Sequence, residues 1–436
     1  MIYSDLKPQN LPEKLIWYYL VCTYPIYYLG GQYLLAPLLG CFLALYLAWQ
    51  WWHQTPATPL DEQITIPVAI WVWIVGILMI EVALIIGHFD FNLGLGKTIS
   101  STVNRWVRTW MLFPVFMLAG SLKIRPQLIY RGVCIVCIQS LLMAVIASGL
   151  NLPDVSYTSP LRVFGGGNFY HVNIFGTLLD SGELRLILFA PWSPALGLVA
   201  NVYFCLASQE KNPTLKWLGI MGAIAMIVGS VSRLAIICLP LTLIVSWFLL
   251  NIHRPVVQLG TGLVGFISGF LAPTIIHNLQ LARAEFSQAR VGSSRVRTVL
   301  GKIALYRWQQ EAFFWGHGSV GEHGPKVTGR MAIGTHHTWF SILYTHGLIG
   351  CLGLAVPLAW SLVELVFKAQ TSQIAKVGLQ IILVLIIFSG GENIDSLTYL
   401  YWPGLLILGI SFKNQISNLA GTENHLDTKN LLTLGV

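Results

Sequence analysis

Four stretches of the sequence gather histidine, arginine and carboxylate side chains that its long apolar runs otherwise lack. The stretch GTHHTWFSILYTHGLIG, residues 334–350, sets His336 beside His337 and adds His346 further on. Imidazole titrates near neutral pH, so a histidine here suits the removal of a proton from an attacking hydroxyl. A paired-histidine metal site is the competing chemistry, but adjacent residues on a helix point about 100° apart. No H-x-x-x-H spacing accompanies the pair, so no metal and no cofactor are expected. Upstream, SSRVRTVLGKIAL carries Arg295 and Arg297, whose planar donor forks match the oxygens of a diphosphate. In GSVSRLAII, Ser230, Ser232 and Arg233 interrupt two apolar runs. An arginine there either reaches water or an anion, or marks a tight turn. The fourth stretch, residues 165–197, has a glycine run, His171, Asp180, Glu183 and Arg185 ahead of Pro191 and Pro194. It reads either as a substrate-lining segment or as an ordinary loop. Glu392 and Asp395 follow a late apolar run.

The elements that must position these groups are membrane helices. With 55% hydrophobic and 10% charged residues in 436, two soluble domains are excluded. Windows of about 20 apolar residues, enough to cross a hydrocarbon core of roughly 30 Å, recur along nearly the whole chain. An all-α polytopic membrane domain covering residues 1–436 is expected, with about a dozen spans. They fall near residues 14–30, 32–52, 66–88, 105–121, 130–150, 187–207, 214–232, 233–251, 256–277, 338–366, 374–390 and 397–412. Lys123, Arg125, Arg131, Lys211, Lys216, Arg254, Lys368 and Lys376 fall in alternate connections, which the positive-inside rule makes cytoplasmic. Both termini are then cytoplasmic, and all four polar stretches face the periplasm. One long periplasmic connection, residues 278–337, is itself rich in arginine and lysine; such a surface invites an anionic ligand, or is a solvated amphipathic helix. The net charge of +8, with no soluble basic domain, speaks for topology and an anionic lipid and not for nucleic acid. The first fifteen residues lack the apolar stretch of a signal peptide. The seven cysteines all lie in apolar runs, so neither a disulfide nor a redox role for Cys134 and Cys137 is expected.

The arrangement resembles the O-antigen ligase and O-antigen polymerase superfamily, membrane glycosyltransferases of the GT-C type that use polyprenyl-diphosphate-linked glycans. Ser232 and Arg233 match a Ser-Arg pair that opens a mid-chain helix in that family. Arg297, Ala304, Leu305, Gly316 and Gly318 match the pattern of its large periplasmic loop. His336, Trp339 and Gly347-Leu348-Ile349-Gly350 match the segment that closes the loop. The similarity runs from about residue 160 to 412. His337 stands where the family has asparagine, Gly301 where it has tryptophan, and Ala312 where it has proline. The segments GGENIDSLTYLYWPGLLILG and LFAPWSPALG resemble cyanobacterial members of the group.

The resemblance implies inverting, metal-independent transfer of a glycan from undecaprenyl diphosphate to a lipid, glycan or protein acceptor at the periplasmic face of a bacterial inner membrane. His336 is then the base, and Arg233 and Arg297, with Arg295 beside them, hold the diphosphate. His337, Glu392, Asp395, Arg185 and His171 are candidates for orienting the base or the acceptor. Ligase and polymerase are not separated. The alternative from another class is a transporter or flippase of an anionic lipid-linked sugar, which would use the same arginines without making a bond. If arginines alone neutralise the leaving group, EDTA leaves turnover unchanged; loss of turnover restored by Mg²⁺ or Mn²⁺ would sink the metal-free mechanism.

Overall fold

The computed structural model describes all residues except 1–5, 59–62, 150–155, 165–166, 178–181, 183, 275, 279, 282–290, 322, 327–330, 336 and 414–436. The described residues are all-α apart from four three-residue strands. The helices are α1 Leu11–Val21, α2 Thr23–Tyr28, α3 Gln32–Trp52, α4 Val68–Asp90, α5 Leu95–Ser101, a π-helix Thr102–Trp110, α6 Leu112–Ala119 and α7 Pro126–Gly149. After the strands come α8 Ser193–Ala207, α9 Pro213–Gly229, α10 Arg233–Asn251, α11 Pro255–Phe270 and α12 Ala272–Asn278. They are followed by α13 Val291–Glu311, α14 Thr338–Lys368, α15 Gln373–Ser389 and α16 Thr398–Ser411.

Helix lies at each of the twelve segments expected from hydropathy, and α3 and α10 coincide with the expected 32–52 and 233–251. Long uninterrupted spans are fewer. Among the described residues five helices, α3, α4, α7, α10 and α14, are long and apolar enough to cross a membrane, or six if α11 and α12, bent by 76°, make one. The others are short or interrupted: α8, α9 and α15 have only 15 to 17 residues, the first expected span breaks at Cys22, and the fourth is π-helical up to Trp110.

Local chemistry sets the helix ends. Asn10, Asn212, Ser232 and Ser372 each accept a backbone N–H of the first turn that follows, satisfying donors a helix start leaves without partners. Proline opens α1, α8, α9 and α11 within the first two positions, where its missing N–H costs nothing. Glu13, 1% exposed, takes Arg125 at 2.7 Å, and buried Glu210 takes Arg131 at 3.1 Å. The Lys368 ammonium meets the Phe412 carbonyl, and Lys413 meets Leu122, at this same end of the bundle. The other end of α15, Ser389 onward, leads to Glu392 and the remaining polar groups. A largely apolar core of α4, α6, α8, α14, α15 and α16, with a few buried polar groups such as Glu81, Asn201 and Ser361, separates the two ends.

Residues 156–186 form two small antiparallel sheets, β1 Ser156–Thr158 with β2 His171–Asn173 and β3 Phe175–Thr177 with β4 Leu184–Leu186. The Tyr27 hydroxyl fastens them to α2 by accepting from Asn173 N at 2.9 Å and donating to its carbonyl at 2.6 Å. Within the connection expected over 278–337, the 21-residue α13 occupies the middle.

Helices α4 and α14 pack backbone to backbone, because Gly76 and Gly353 face each other without side chains. A Cβ on Gly76 would lie 2.3 Å from the Gly353 carbonyl oxygen, and one on Gly353 2.5 Å from that of Gly76. Small residues at such crossings let backbones approach where lipid gives no hydrophobic drive. Gly76→Ala is predicted to destabilise by about 1–3 kcal/mol, the usual cost of overpacking. Gly262→Ala, in open space on α11, should leave the midpoint unchanged or raised. Tryptophan-fluorescence melts in detergent test the pair, and equal effects would refute the packing argument.

Candidate functional site

The site begins with an interrupted helix. At Gly347, φ 63° and ψ −161° break α14 after its third turn. A broken helix in an apolar bundle exposes backbone donors and acceptors that water cannot reach, so protein must supply their partners. The segment after α13 does so. His317 N and Gly318 N donate to the carbonyls of Tyr344 and Thr345, both at 2.9 Å. In return Leu348 N and Ile349 N donate to Phe313 and Phe314 at 2.9 and 3.1 Å. Only glycine fits this junction. Gly316 and Gly318 have φ of 71° and 69°, and a Cβ on either would lie 2.5 to 2.6 Å from α14 or His88. The Gly-x-Gly and Gly-Leu-Ile-Gly motifs, separate in sequence, are thus two halves of one contact.

Ion pairs and stacking hold the wedge. His317 is buried, stacked on Tyr344 at a centroid distance of 4.2 Å. Its Nε2 lies 2.8 Å from Glu311, and Arg307 binds the same carboxylate at 2.9 and 3.0 Å. The Arg307 guanidinium, aided by His317 against burial, pulls the Glu311 carboxyl down to about 2.

With the wedge seated, α13 lies along the first turns of α14. Leu300, Ala304, Ile333 and Tyr344 form a small buried cluster with Phe340 against it. Gly301 is the contact point: a Cβ there would fall 2.7 Å from the Phe340 ring, which gives a packing reason for glycine at that position. This placement carries Arg297 to the end of α15, where it donates to the Gly391 carbonyl and to Glu392 Oε1, both at 3.0 Å. Glu392 is 4% exposed, and its Oε2 accepts from Trp192 Nε1 at 3.2 Å, just before α8. Thr338, first residue of α14, donates to the Glu392 carbonyl and accepts from Ile394 N. Burial raises the Glu392 carboxyl, while Arg297 and Trp192 oppose the shift. Gly391 also touches α10, since a Cβ on it would meet the Leu234 side chain at 2.8 Å. Arg233 is the residue before Leu234, at the start of a helix capped by Ser232. The turn leading in has Val231 at φ 48°, a left-handed conformation that costs a β-branched residue about 1–3 kcal/mol. Such strain persists where surrounding structure imposes it, and here it directs the Ser232–Arg233 corner.

Of the residues singled out from sequence, the fold thus brings Arg297, Glu392 and His337 to one corner, with the start of α10 against it. His337 caps α14, its ring stacked on Phe340 at 4.1 Å and lowered in basicity by burial and then by Arg297. Arg295 belongs to α13, but its side chain lies outside the described residues, as does His336 altogether. His171 and Arg185 belong to the two small sheets. His171 bonds Thr158 Oγ1 at 2.8 Å and borders a narrow crevice with Tyr27, Phe169 and Tyr399. Asp395 opens a 3-10 turn beside the π-helix and faces Arg105. No group of three His, Cys, Asp or Glu side chains among the described residues is arranged to hold a metal ion.

Sequence reading missed Trp192, Thr338, Glu311 and His317, took Arg307 only as one of the loop's cations, and missed a second polar centre around Tyr33. There Arg108 lies over the Tyr33 ring at 5.6 Å, and Arg105 and Asp395 act on the same tyrosine through their charges. Nearby, His346 is 5% exposed, with Trp110 edge-on to its ring, and its Nε2 has no hydrogen-bond partner among the described residues. The available signal was Arg105 and Arg108 inside an otherwise apolar run.

Burial lifts the Asp395 carboxyl from its ordinary 3.8 to about 6, with its own turn's N–H groups and Arg105 opposing. A carboxyl raised in the fold binds its proton more tightly folded than unfolded. That contribution to stability is complete at low pH and disappears as pH rises through about 6. Asp395→Asn should melt with wild type near pH 4 and a few degrees above it near pH 7.5; parallel curves across this range would contradict the assignment. No protein-family model and no curated protein matches this chain.

Proposed function

We propose that the protein is an inverting, metal-independent membrane glycosyltransferase that moves a glycan from undecaprenyl diphosphate to an acceptor hydroxyl. Its twelve helical segments are read as spans, with both termini cytoplasmic and the Glu392 end of the bundle periplasmic. The observation that carries the reading is the corner where Arg297, held by Glu392 and the Gly391 carbonyl, meets the start of α10 beside Arg233. The Arg297 guanidinium at this corner, with the helix that Arg233 opens packed against it from 64 positions away in sequence, suits the phosphates of a lipid diphosphate.

The chemistry follows from charge. The acceptor oxygen gives its proton to the imidazole of His336 and attacks the anomeric carbon. The bond from that carbon to the diphosphate oxygen breaks, and its electron pair leaves on the diphosphate, where Arg233 and Arg297 offset the charge. Attack opposite the leaving group inverts the anomeric centre. Glu392 keeps Arg297 in place before substrate arrives, so little reorganisation is left for the transition state. Arg295 lies one turn-fraction away on α13 as a further cation, and His337, Asp395, Arg185 and His171 remain candidates for the acceptor side.

The break in α14 and the bend between α11 and α12 favour a second reading, since discontinuous helices line substrate paths in transporters. That reading makes the protein a flippase for an anionic lipid-linked sugar. In α14, however, the exposed backbone groups are already taken by the Phe313–Gly318 segment and are not left for an ion or substrate.

In proteoliposomes supplied with undecaprenyl-diphosphate glycan, His336→Ala is predicted to abolish transfer and His337→Asn to be mild. Arg233→Ala and Arg297→Ala should each lose about 30- to 1000-fold in turnover, corresponding to roughly 2–4 kcal/mol. Lysine should restore either only in part. Because Arg297→Ala also leaves a buried carboxylate unpaired, Arg297→Ala/Glu392→Gln should recover stability without recovering turnover. Substantial activity in His336→Ala, or recovered activity in the double variant, would overturn the assignments.

A further inference from the structure

His346 stands one residue before the break in α14, and its ring carries a nitrogen that the fold leaves unmet. Thr345 donates its one hydroxyl proton to the Ser341 carbonyl at 2.7 Å, so toward His346 Nδ1, 2.6 Å away, the same oxygen can only accept. Nδ1 therefore bears the ring proton. In the neutral imidazole Nε2 is then a bare lone pair, buried and without a hydrogen-bond partner among the described residues. His88, on α4, shows the same arrangement completed. Its Nδ1 donates to the Leu84 carbonyl at 2.8 Å, and its Nε2 accepts from the Ser101 hydroxyl at 3.0 Å. A proton on His346 Nε2 would not meet the need, since it replaces an unmet acceptor by an unmet donor and adds a charge close to Arg105.

A second gap lies between Arg105 and Asp395. The two attract each other through charge, yet no hydrogen bond joins them among the described residues. Polar interactions across such a gap are commonly completed by water. Charge balance points the same way: Arg105 repels a cation and Asp395 repels an anion, so the group that fits is neutral and both donates and accepts. Empty cavities in proteins are apolar, whereas polar ones hold a water when several hydrogen-bonding partners converge on it. Three converge here, His346 Nε2, the Arg105 guanidinium and the Asp395 carboxylate. Arg105 is partly exposed, which leaves water a way in.

We infer that a buried water bridges His346 Nε2 to Arg105 and Asp395, donating one proton to the imidazole and accepting from the guanidinium. Its second proton goes to the Asp395 carboxylate. The water so placed ties together the residue before the break in α14, the π-helix and the turn that follows the Glu392 corner. Nothing in this inference rests on the transferase reading.

The test is X-ray radiolytic footprinting of the full-length protein in detergent, because hydroxyl radicals formed from a bound water attack the side chains around it. Trp110, 3% exposed and edge-on to the His346 ring at 6.3 Å, is the reporter. Trp73, 0% exposed with its indole N–H on Ser361, is the control. Trp110 is expected to be oxidised several-fold faster than Trp73. His346→Leu removes the acceptor and should bring Trp110 down to the Trp73 rate, while His346→Gln keeps an acceptor and should retain most of the difference. The wild-type comparison needs no substitution, so it decides the matter even if the leucine variant fails to fold. Equally slow oxidation of Trp110 and Trp73 in the wild type, or undiminished oxidation of Trp110 in a folded His346→Leu, overturns the proposal. Neither result depends on whether glycan transfer is observed.

Discussion

A helix that stops being a helix inside an apolar bundle must find partners for its backbone, and α14 finds them in its own chain. The four hydrogen bonds between Phe313–Gly318 and Tyr344–Ile349 are reciprocal, two in each direction. Unmet, each of these groups would cost a few kcal/mol in such surroundings. The segment after α13 is therefore held at one depth and one register. Everything at the Glu392 corner depends on that register, since α13 reaches α14 and α15 only because its C-terminal end is fastened there.

The second constraint is electrostatic. A carboxylate as buried as Glu392 is tolerated only with partners, which are Arg297 on α13 and Trp192 before α8, while Thr338 at the start of α14 takes the backbone carbonyl of the same residue. Removing any one leaves a buried charge or carbonyl exposed to the apolar core, so the elements are held together more by the cost of separation than by the strength of a single pair. Under the proposed transfer, the same arrangement is what presents Arg297 to a phosphate. Its guanidinium is already oriented, is 44% exposed, and needs only a better acceptor on its open side.

Much of this was legible in the sequence because it depends on local chemistry. The ends of α3 and α10 follow from hydropathy, while Gly316, Gly318 and Gly347 stood out in the sequence only as matches to a family pattern, their packing reason being given by the fold. What the sequence could not carry was distance. Trp192 and Glu392 stand 200 positions apart, and neither has a neighbour that announces the other. The π-helix hid for a different reason: Arg105 and Arg108 lie three apart, a spacing that an ordinary helix with a polar edge would share. The breaks at Cys22 and Gly347 lie within continuous apolar runs, where hydropathy is blind to backbone geometry.

Bond making is what separates a transferase from a carrier of the same lipid, and it can be measured where transport has no meaning. In detergent micelles, with no second compartment, purified protein is supplied with undecaprenyl-diphosphate glycan and a soluble acceptor sugar, and the lipid product is followed by mass spectrometry. The account predicts release of undecaprenyl diphosphate in step with a new glycosidic bond of inverted configuration. Binding of the donor without any release of lipid diphosphate would contradict it.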